Sequence, residues 1–340
     1  MLLLRRLLRL IIRRFFLSIP LILGASFVSF GILRLSKSNP AVLIAGPQAD
    51  AATIEKIGNE LGLSKPILEQ YVIYLSHLFS GNWGTSWNSG LPVLEEIFRR
   101  IPPTLELLSF GLLLGVLGGV SLGFLSARKQ GSFSDLFTKA ISLIGVSMPI
   151  FWIGLLLISA FTFSLQIFPP PLGRLGLFDS PPERITGYYT IDALSAGQFA
   201  LFFKIIHYLF LPALTIAIVA GSQILKQARA STLEIQNSEV VRFYRANGVS
   251  EFKVSKLILL LASPTILTSI AMTAVYALAG SALVELIFSW GGLGQWGLTA
   301  ITSLDYSVVQ GYVLTLAIFS TLIFLILDIV IALVDKRKLI

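Results

Sequence analysis

Between Glu239 and Lys256 the chain reads Glu-Val-Val-Arg-Phe-Tyr-Arg-Ala-Asn-Gly-Val-Ser-Glu-Phe-Lys-Val-Ser-Lys, and an apolar run follows, broken by Pro264. Helical spacing lets Val240, Val241, Tyr244 and, past Gly248, Val249 share one face, with Arg242 and Arg245 on its flank. The chemistry available to such a segment is docking rather than bond-making. It offers a soluble protein an attachment point, or it lies as a solvated basic helix against anionic lipid. Gly248 supplies the turn, because glycine tolerates the left-handed backbone that ends helices. The other chemical candidates are carboxylates near or within apolar runs: Glu106, Glu285 and Asp328. An acid inside a bilayer marks an ion or proton path by default. The competing reading puts Glu106 and Glu285 at headgroup level and lets Asp328 reach the inner interface near Lys336. Bond-making chemistry finds little support. There is no Gly-Lys dipeptide, hence no P-loop, and neither paired catalytic carboxylates nor a nucleophile beside a base stand out. Cysteine is absent, and the only histidines, His77 and His207, are far apart. The chain is therefore expected to be no enzyme and to bind no metal or cofactor itself.

The elements that position these residues follow from composition. Of 340 residues, 55% are hydrophobic and 13% charged, with mean hydropathy +0.82, which excludes an ordinary soluble globule. Apolar runs near Phe15–Leu35, Leu105–Leu125, Ile141–Phe168, Tyr208–Leu225, Ile266–Phe288 and Val308–Val334 approach or exceed the ~20 residues needed to cross a bilayer. The predicted fold is an all-α polytopic membrane protein with six transmembrane helices and a small external helical domain between the first two. With both termini inside, the inside segments hold 17 of the 26 basic residues and five acids, as the positive-inside rule requires. The net charge of +8 thus reflects topology, and no nucleic-acid partner is implied.

Taken in order, residues 1–14 are expected to form a cytosolic amphipathic helix along the interface, with the first span at 15–37. Residues 38–100 form the external domain, with amphipathic helices around Ile54, Ile57 and Leu61 and from Ile67 to Phe79. The remainder, 101–340, holds the other spans and a cytosolic loop at 230–256. Gly111, Gly115, Gly119 and Gly123 recur every four residues, so one face of the second span is built for close helix contact. Pro149 should kink the start of the third span. Trp290 and Trp296 suit the aromatic belt at the outer interface.

Several motifs together resemble one family. Leu61-Gly62-Leu63-Ser64-Lys65-Pro66 with Gln70-Tyr71, Gly84-Thr85-Ser86, and Ile101-Pro102-Pro103-Thr104-Leu105-Glu106-Leu107 resemble the membrane subunit of dipeptide/oligopeptide ATP-binding-cassette importers. So do Ser147-Met148-Pro149-Ile150-Phe151-Trp152-Ile153-Gly154, Arg245-Ala246-Asn247-Gly248, Glu285 through Gly294, and Asp305 through Gly311. Where the common coupling motif has Glu-Ala-Ala, this chain has Tyr244-Arg245-Ala246. The resemblance implies an inner-membrane permease subunit forming half of a translocation pathway. Val241, Arg242, Tyr244, Arg245, Ala246 and Gly248 would belong to the coupling element seated on an ATPase subunit. Pro149, Glu285 and Trp290 are pathway or gate candidates. The implied partners are a second homologous permease, two ATP-binding subunits that carry the ATP and Mg, an extracytoplasmic solute-binding protein and the lipid bilayer. The rival class is an ion-coupled secondary transporter or channel using Glu106, Glu285 or Asp328; no paired interrupted half-helices support it.

Overall fold

A computed structural model describes residues 2–35, 39–46 and 48–334. It is helical almost throughout, and among the described residues one isolated antiparallel bridge, Thr85 with Pro92, is the extent of strand pairing. The chain runs through α1 (Leu2–Leu35), α2 (Pro40–Ala45), α3 (Ala51–Glu60), α4 (Ile67–Phe79), α5 (Val93–Arg128), α6 (Phe133–Ser147) and α7 (Ile150–Leu157). A π-helical turn, Ile158–Ser164, continues α7. Then come α8 (Tyr189–Ser195), α9 (Phe199–Gln236), α10 (Glu239–Ala246), α11 (Glu251–Ile287), α12 (Leu293–Ser303) and α13 (Tyr306–Val334). The expected end of the last span at Asp335-Lys336-Arg337-Lys338 lies outside the described residues.

Among the described residues five helices are long and apolar enough to cross a membrane: α1 over Leu8–Ile32, α5, α9, α11 and α13. The sixth expected span, Ile141–Phe168, is not one helix. The chain bends by 109° between α6 and the α7 segment, so it counts as a span only as a broken pair. The cause is Pro149. Its ring drives the preceding residue out of the helical region, and Met148 sits at φ −86°, ψ 137°. The expected kink is a corner. A second difference concerns the amino terminus: α1 is continuous, with no break between residues 14 and 15.

Prolines within the long helices leave carbonyls without their usual donors, and at two of them a side chain takes the donor's place. Pro102 frees the Phe98 carbonyl, which accepts from Arg184 Nη2 at 3.1 Å. Pro264 frees the Leu260 carbonyl, which accepts from Ser263 Oγ at 2.7 Å.

The centre of the molecule is the α5–α9 pair, its most extensive helix contact. α9 also lies along α11, α11 along α13, and α13 along α1. The four glycines of the α5 repeat all face α9, which approaches where their side chains would otherwise stand. A Cβ on Gly119 would lie 2.6 Å from the Gly221 carbonyl oxygen, and one on Gly123 would lie 2.7 Å from that of Leu225. At Gly115 the nearest atoms are Gly221 N at 3.1 Å and Ala217 O at 3.2 Å, and at Gly111 Ile216 Cβ at 2.8 Å. Leu113 and Leu117, on the opposite side of α5, are exposed. Small residues thus meet protein and large apolar ones are left for lipid, the arrangement that tight packing without a hydrophobic drive selects.

Residues 38–100 contain the expected helices, with α4 at the expected bounds. They share their packing with the spans. α4 rests on the second half of α1: Ser26 Oγ and Tyr71 Oη are 2.7 Å apart, and the Phe30 ring lies 5.3 Å from that of Tyr71. Trp83 and Val93 join Leu293, Trp296, Val308 and Tyr312 in one apolar cluster. Ser86 Oγ donates to Asp305 at 2.6 Å, and Trp87 Nε1 to the Leu304 carbonyl at 3.4 Å. The helix expected to begin after residue 100 starts at Val93, so the last two turns of that segment are already α5.

Candidate functional site

α10 stands between the two longest-reaching ends of the bundle, α9 and α11. Ser238 caps it, its Oγ accepting from Val241 N at 3.5 Å. Val241 is the anchor, fully buried with Val254 and Ile258 and backed by Phe124, Ile235 and Val249. The end is a Schellman motif: Gly248 N donates to Arg245 O at 3.0 Å and Val249 N to Tyr244 O at 3.2 Å, with Gly248 at φ +74°. The glycine is required by that backbone, since a Cβ there would meet nothing within 4 Å.

The outward face differs from the one expected. Val240, Val241 and Tyr244 do not share a side: Val241 points in, while Val240, Phe243 and Tyr244 are 46%, 67% and 40% exposed. The i, i+3, i+4 spacing of Val240, Phe243 and Tyr244 carried that signal in the sequence. Arg242 and Ala246 are exposed too. Arg245 is turned toward Glu251, Nε to Oε1 at 2.9 Å, and Glu251 also lies 3.6 Å from Arg128 of α5. Arg128 in turn donates to Ser255 Oγ at 2.7 Å. An ionic chain therefore ties the end of α10 to the starts and ends of its neighbours.

Behind it, Asp135 of α6 is buried and accepts from Ser126 at 2.6 Å and from Arg229 of α9 at 2.8 and 3.2 Å, with Lys139 at 2.9 Å. Three helices meet on that one carboxylate. The sequence reading missed it, because Asp135 and Arg229 are 94 residues apart and no local pattern pairs them.

At the far end of the bundle, Glu106 and Glu285 are fully buried within the protein. Glu106 pairs with Arg174 and accepts from Thr190 N at 2.8 Å and Thr190 Oγ1 at 2.7 Å. The Arg174 guanidinium lies 3.4 Å from the Tyr189 ring centroid. Glu285 accepts from Thr104 Oγ1 at 2.7 Å and from Gln295 N at 2.9 Å, so its carboxyl group faces the amino end of α12. Trp290 is buried, donating from Nε1 to the Pro103 carbonyl at 2.9 Å; Trp296 is buried as well. Neither is turned out toward lipid, and each indole N–H finds a partner inside the protein. Asp328 pairs with Arg14 of α1; Lys336, near which it was expected, lies outside the described residues. Outside the spans, burial pushes the Asp305 carboxyl above its ordinary value, while Lys204 beside Asp179 holds that half-buried carboxyl below it.

Among the described residues no cluster of His, Cys, Asp or Glu suits a metal ion. Pro149 caps α7, and like Glu285 and Trp290 it does not line the large cavity between α9 and α11.

Curated relatives match over nearly the whole chain. A protein described as a probable D,D-dipeptide transport system permease, DdpB of Escherichia coli, is 36% identical over 92% of this chain and 92% of its own length. A dipeptide transport system permease, DppB of Alkalihalophilus pseudofirmus, is 35% identical over 96% of this chain and 97% of its own. DppB of Escherichia coli is 33% identical over 97% and 98%. Residues 7–108 match the model of the amino-terminal part of binding-protein-dependent transport system membrane components, and residues 119–340 match that of the inner membrane component itself. The chain belongs to the family of binding-protein-dependent transport system inner membrane components: it is a multi-pass permease subunit of an ATP-binding-cassette importer, not an enzyme.

Proposed function

We propose that the chain carries peptides, and that α10 is the coupling helix through which separate ATPase subunits drive it. The single observation behind the coupling role is the inside-out surface of α10. One buried valine anchors it, while Val240, Phe243 and Tyr244 stay exposed around Arg242 and Ala246. An apolar, aromatic and basic face of this kind fits a groove on a soluble partner. The peptide cargo is carried over from the names of the relatives. Two ATP-binding subunits would hold the ATP and Mg, a second permease of the same family would complete the pathway, and a solute-binding protein would load it from outside. Both termini would be cytosolic. Closure of the ATPase pair would pull on α10, and Val241 together with the Arg245–Glu251–Arg128 chain would pass the shift to α11 and α5 as a rigid-body movement. Glu285 and Trp290 serve as clasps joining α5, α11 and α12. Ion coupling gains no support from the buried acids, since Glu106, Glu285 and Asp328 each have partners within the chain.

The test is substitution on the exposed face of α10. Phe243→Glu and Ala246→Trp should leave insertion intact, because neither residue is buried. They should lose either the ATPase subunits on purification or the stimulation of ATP hydrolysis by loaded binding protein. Gly248→Val should do the same by straining the Schellman turn. Full uptake and stimulated hydrolysis in both Phe243→Glu and Ala246→Trp would return α10 to a solvated basic loop.

A further inference from the structure

On the halves of α9 and α11 nearer α10 lies a cavity of about 720 Å³, within the ~300–1,000 Å³ of sites that enclose a small organic ligand. Beside apolar residues such as Val146, Met272 and Ile331, its wall carries a polar strip where membrane-spanning helices are ordinarily apolar. α9 contributes Gln223, Lys226 and Gln227, and α11 contributes Thr265, Thr268 and Ser269 at i, i+3, i+4 spacing. Lipid is a poor neighbour for amides and an ammonium, so this strip suits water or a polar solute.

The charge in it is one-sided. Lys226 is the cation of the lining, and no carboxylate lines it. On the same helix Arg229, one turn further along, is held by Asp135, and Lys204 by Asp179. Lys226 makes no ion pair or hydrogen bond with any described residue, and neither do the side-chain amides of Gln223 and Gln227. Three polar groups that folding has left free face one hydrated space.

We propose that Lys226, flanked by Gln223, Gln227 and the Thr265–Ser269 hydroxyls, is a carboxylate-binding station on the translocation pathway. Resting on the peptide reading, it takes the C-terminal carboxylate of the passing peptide. An ammonium is a compact charge on a flexible stem with three rotatable donors, able to follow an anion without fixing its orientation. The amides and hydroxyls pair with peptide N–H and C=O groups whatever the side chains. Such a station attracts without gripping, as a transit site must.

The cysteine-free chain allows a direct test on the detergent-purified complex with its partner subunits. Thr268→Cys is modified with a sulfonate-bearing and a trimethylammonium-bearing methanethiosulfonate, and the rates on this chain are compared with those in Thr268→Cys/Lys226→Met. The anionic reagent should lose about fivefold of its relative rate when the lysine charge goes, and Lys226→Arg should keep it. In cells, uptake of L-alanyl-L-alanine should fall about tenfold or more in Lys226→Met, with the ATPase subunits still copurifying, and recover in Lys226→Arg. An unchanged rate ratio in Lys226→Met, or an introduced thiol that neither reagent modifies, overturns the station. A charge-dependent ratio in a complex that takes up no dipeptide upholds a carboxylate station and refutes the peptide reading.

Discussion

Replacing Gly119 by alanine adds one carbon atom, and the structure says where it goes. The new Cβ would lie 2.6 Å from the Gly221 carbonyl oxygen and 3.1 Å from Ile224 Cβ, both on α9. Backbone cannot step aside as a flexible side chain can, so α5 and α9 must part by about half an ångström along their tightest contact. Overpacking of this kind costs about 1–3 kcal/mol. Alanine's better helix propensity returns at most about 1 kcal/mol. Gly118 is the internal control, because a Cβ there meets nothing within 4 Å. Gly118→Ala should therefore be neutral or stabilising by up to about 1 kcal/mol, and the two variants should differ by about 2 kcal/mol. Heating the purified complex and following its monodisperse fraction by size exclusion should rank Gly118→Ala above the parent and Gly119→Ala several degrees below. Gly123→Ala, 2.7 Å from the Leu225 carbonyl oxygen, should behave like Gly119→Ala, and Gly115→Ala should be milder. The leucine variants Gly115→Leu and Gly119→Leu should fail to assemble. Coincident melting of Gly118→Ala and Gly119→Ala would refute the close-contact reasoning, and normal transport in both leucine variants would leave the stripe facing lipid.

Three further outcomes are expected. Single cysteines at the exposed positions Asn59, Ser180 and Asn247 should label from outside, outside and inside respectively; external labelling at Asn247 would invert the topology. Arg174→Met leaves Glu106 buried without its cation and should cost about 3–5 kcal/mol, partly recovered by adding Glu106→Gln; a loss under about 1 kcal/mol would mean the pair is hydrated. Burial raises the folded-state Asp305 carboxyl above its ordinary 3.8, so its contribution is fully present below that value and is lost as pH rises through the raised one. Asp305→Asn should flatten this part of the melting-versus-pH curve, and a curve identical to the parent's would remove Asp305 from the account.

Legibility in the sequence followed the range of the interaction. The apolar runs of α1, α5, α9, α11 and α13 announce themselves because a bilayer demands length and apolarity locally, residue after residue. Gly248 could be read as a turn because a positive φ is a property of one residue. The glycine stripe of α5 showed that a helix packs there, since a four-residue repeat marks a face, but Gly221 and the α9 backbone opposite it belong to a distant segment. Pro149 marked a break, yet the 109° corner it makes depends on where α6 and α7 find their neighbours. On α10 periodicity alone could not say whether Val241 or Phe243 turns inward; Val254 and Ile258 decided that by offering Val241 a pocket. The buried acids divide in the same way. Sequence marks Glu106, Glu285 and Asp328 as costly in a membrane, but the partners that neutralise or cap them, Arg174, Thr104 with the start of α12, and Arg14, come from 68, 181 and 314 residues away. A chain fixes by itself what solvent and backbone impose on each short segment. Which charge meets which, and which polar face is left open as at Lys226, is decided only when distant helices are brought side by side.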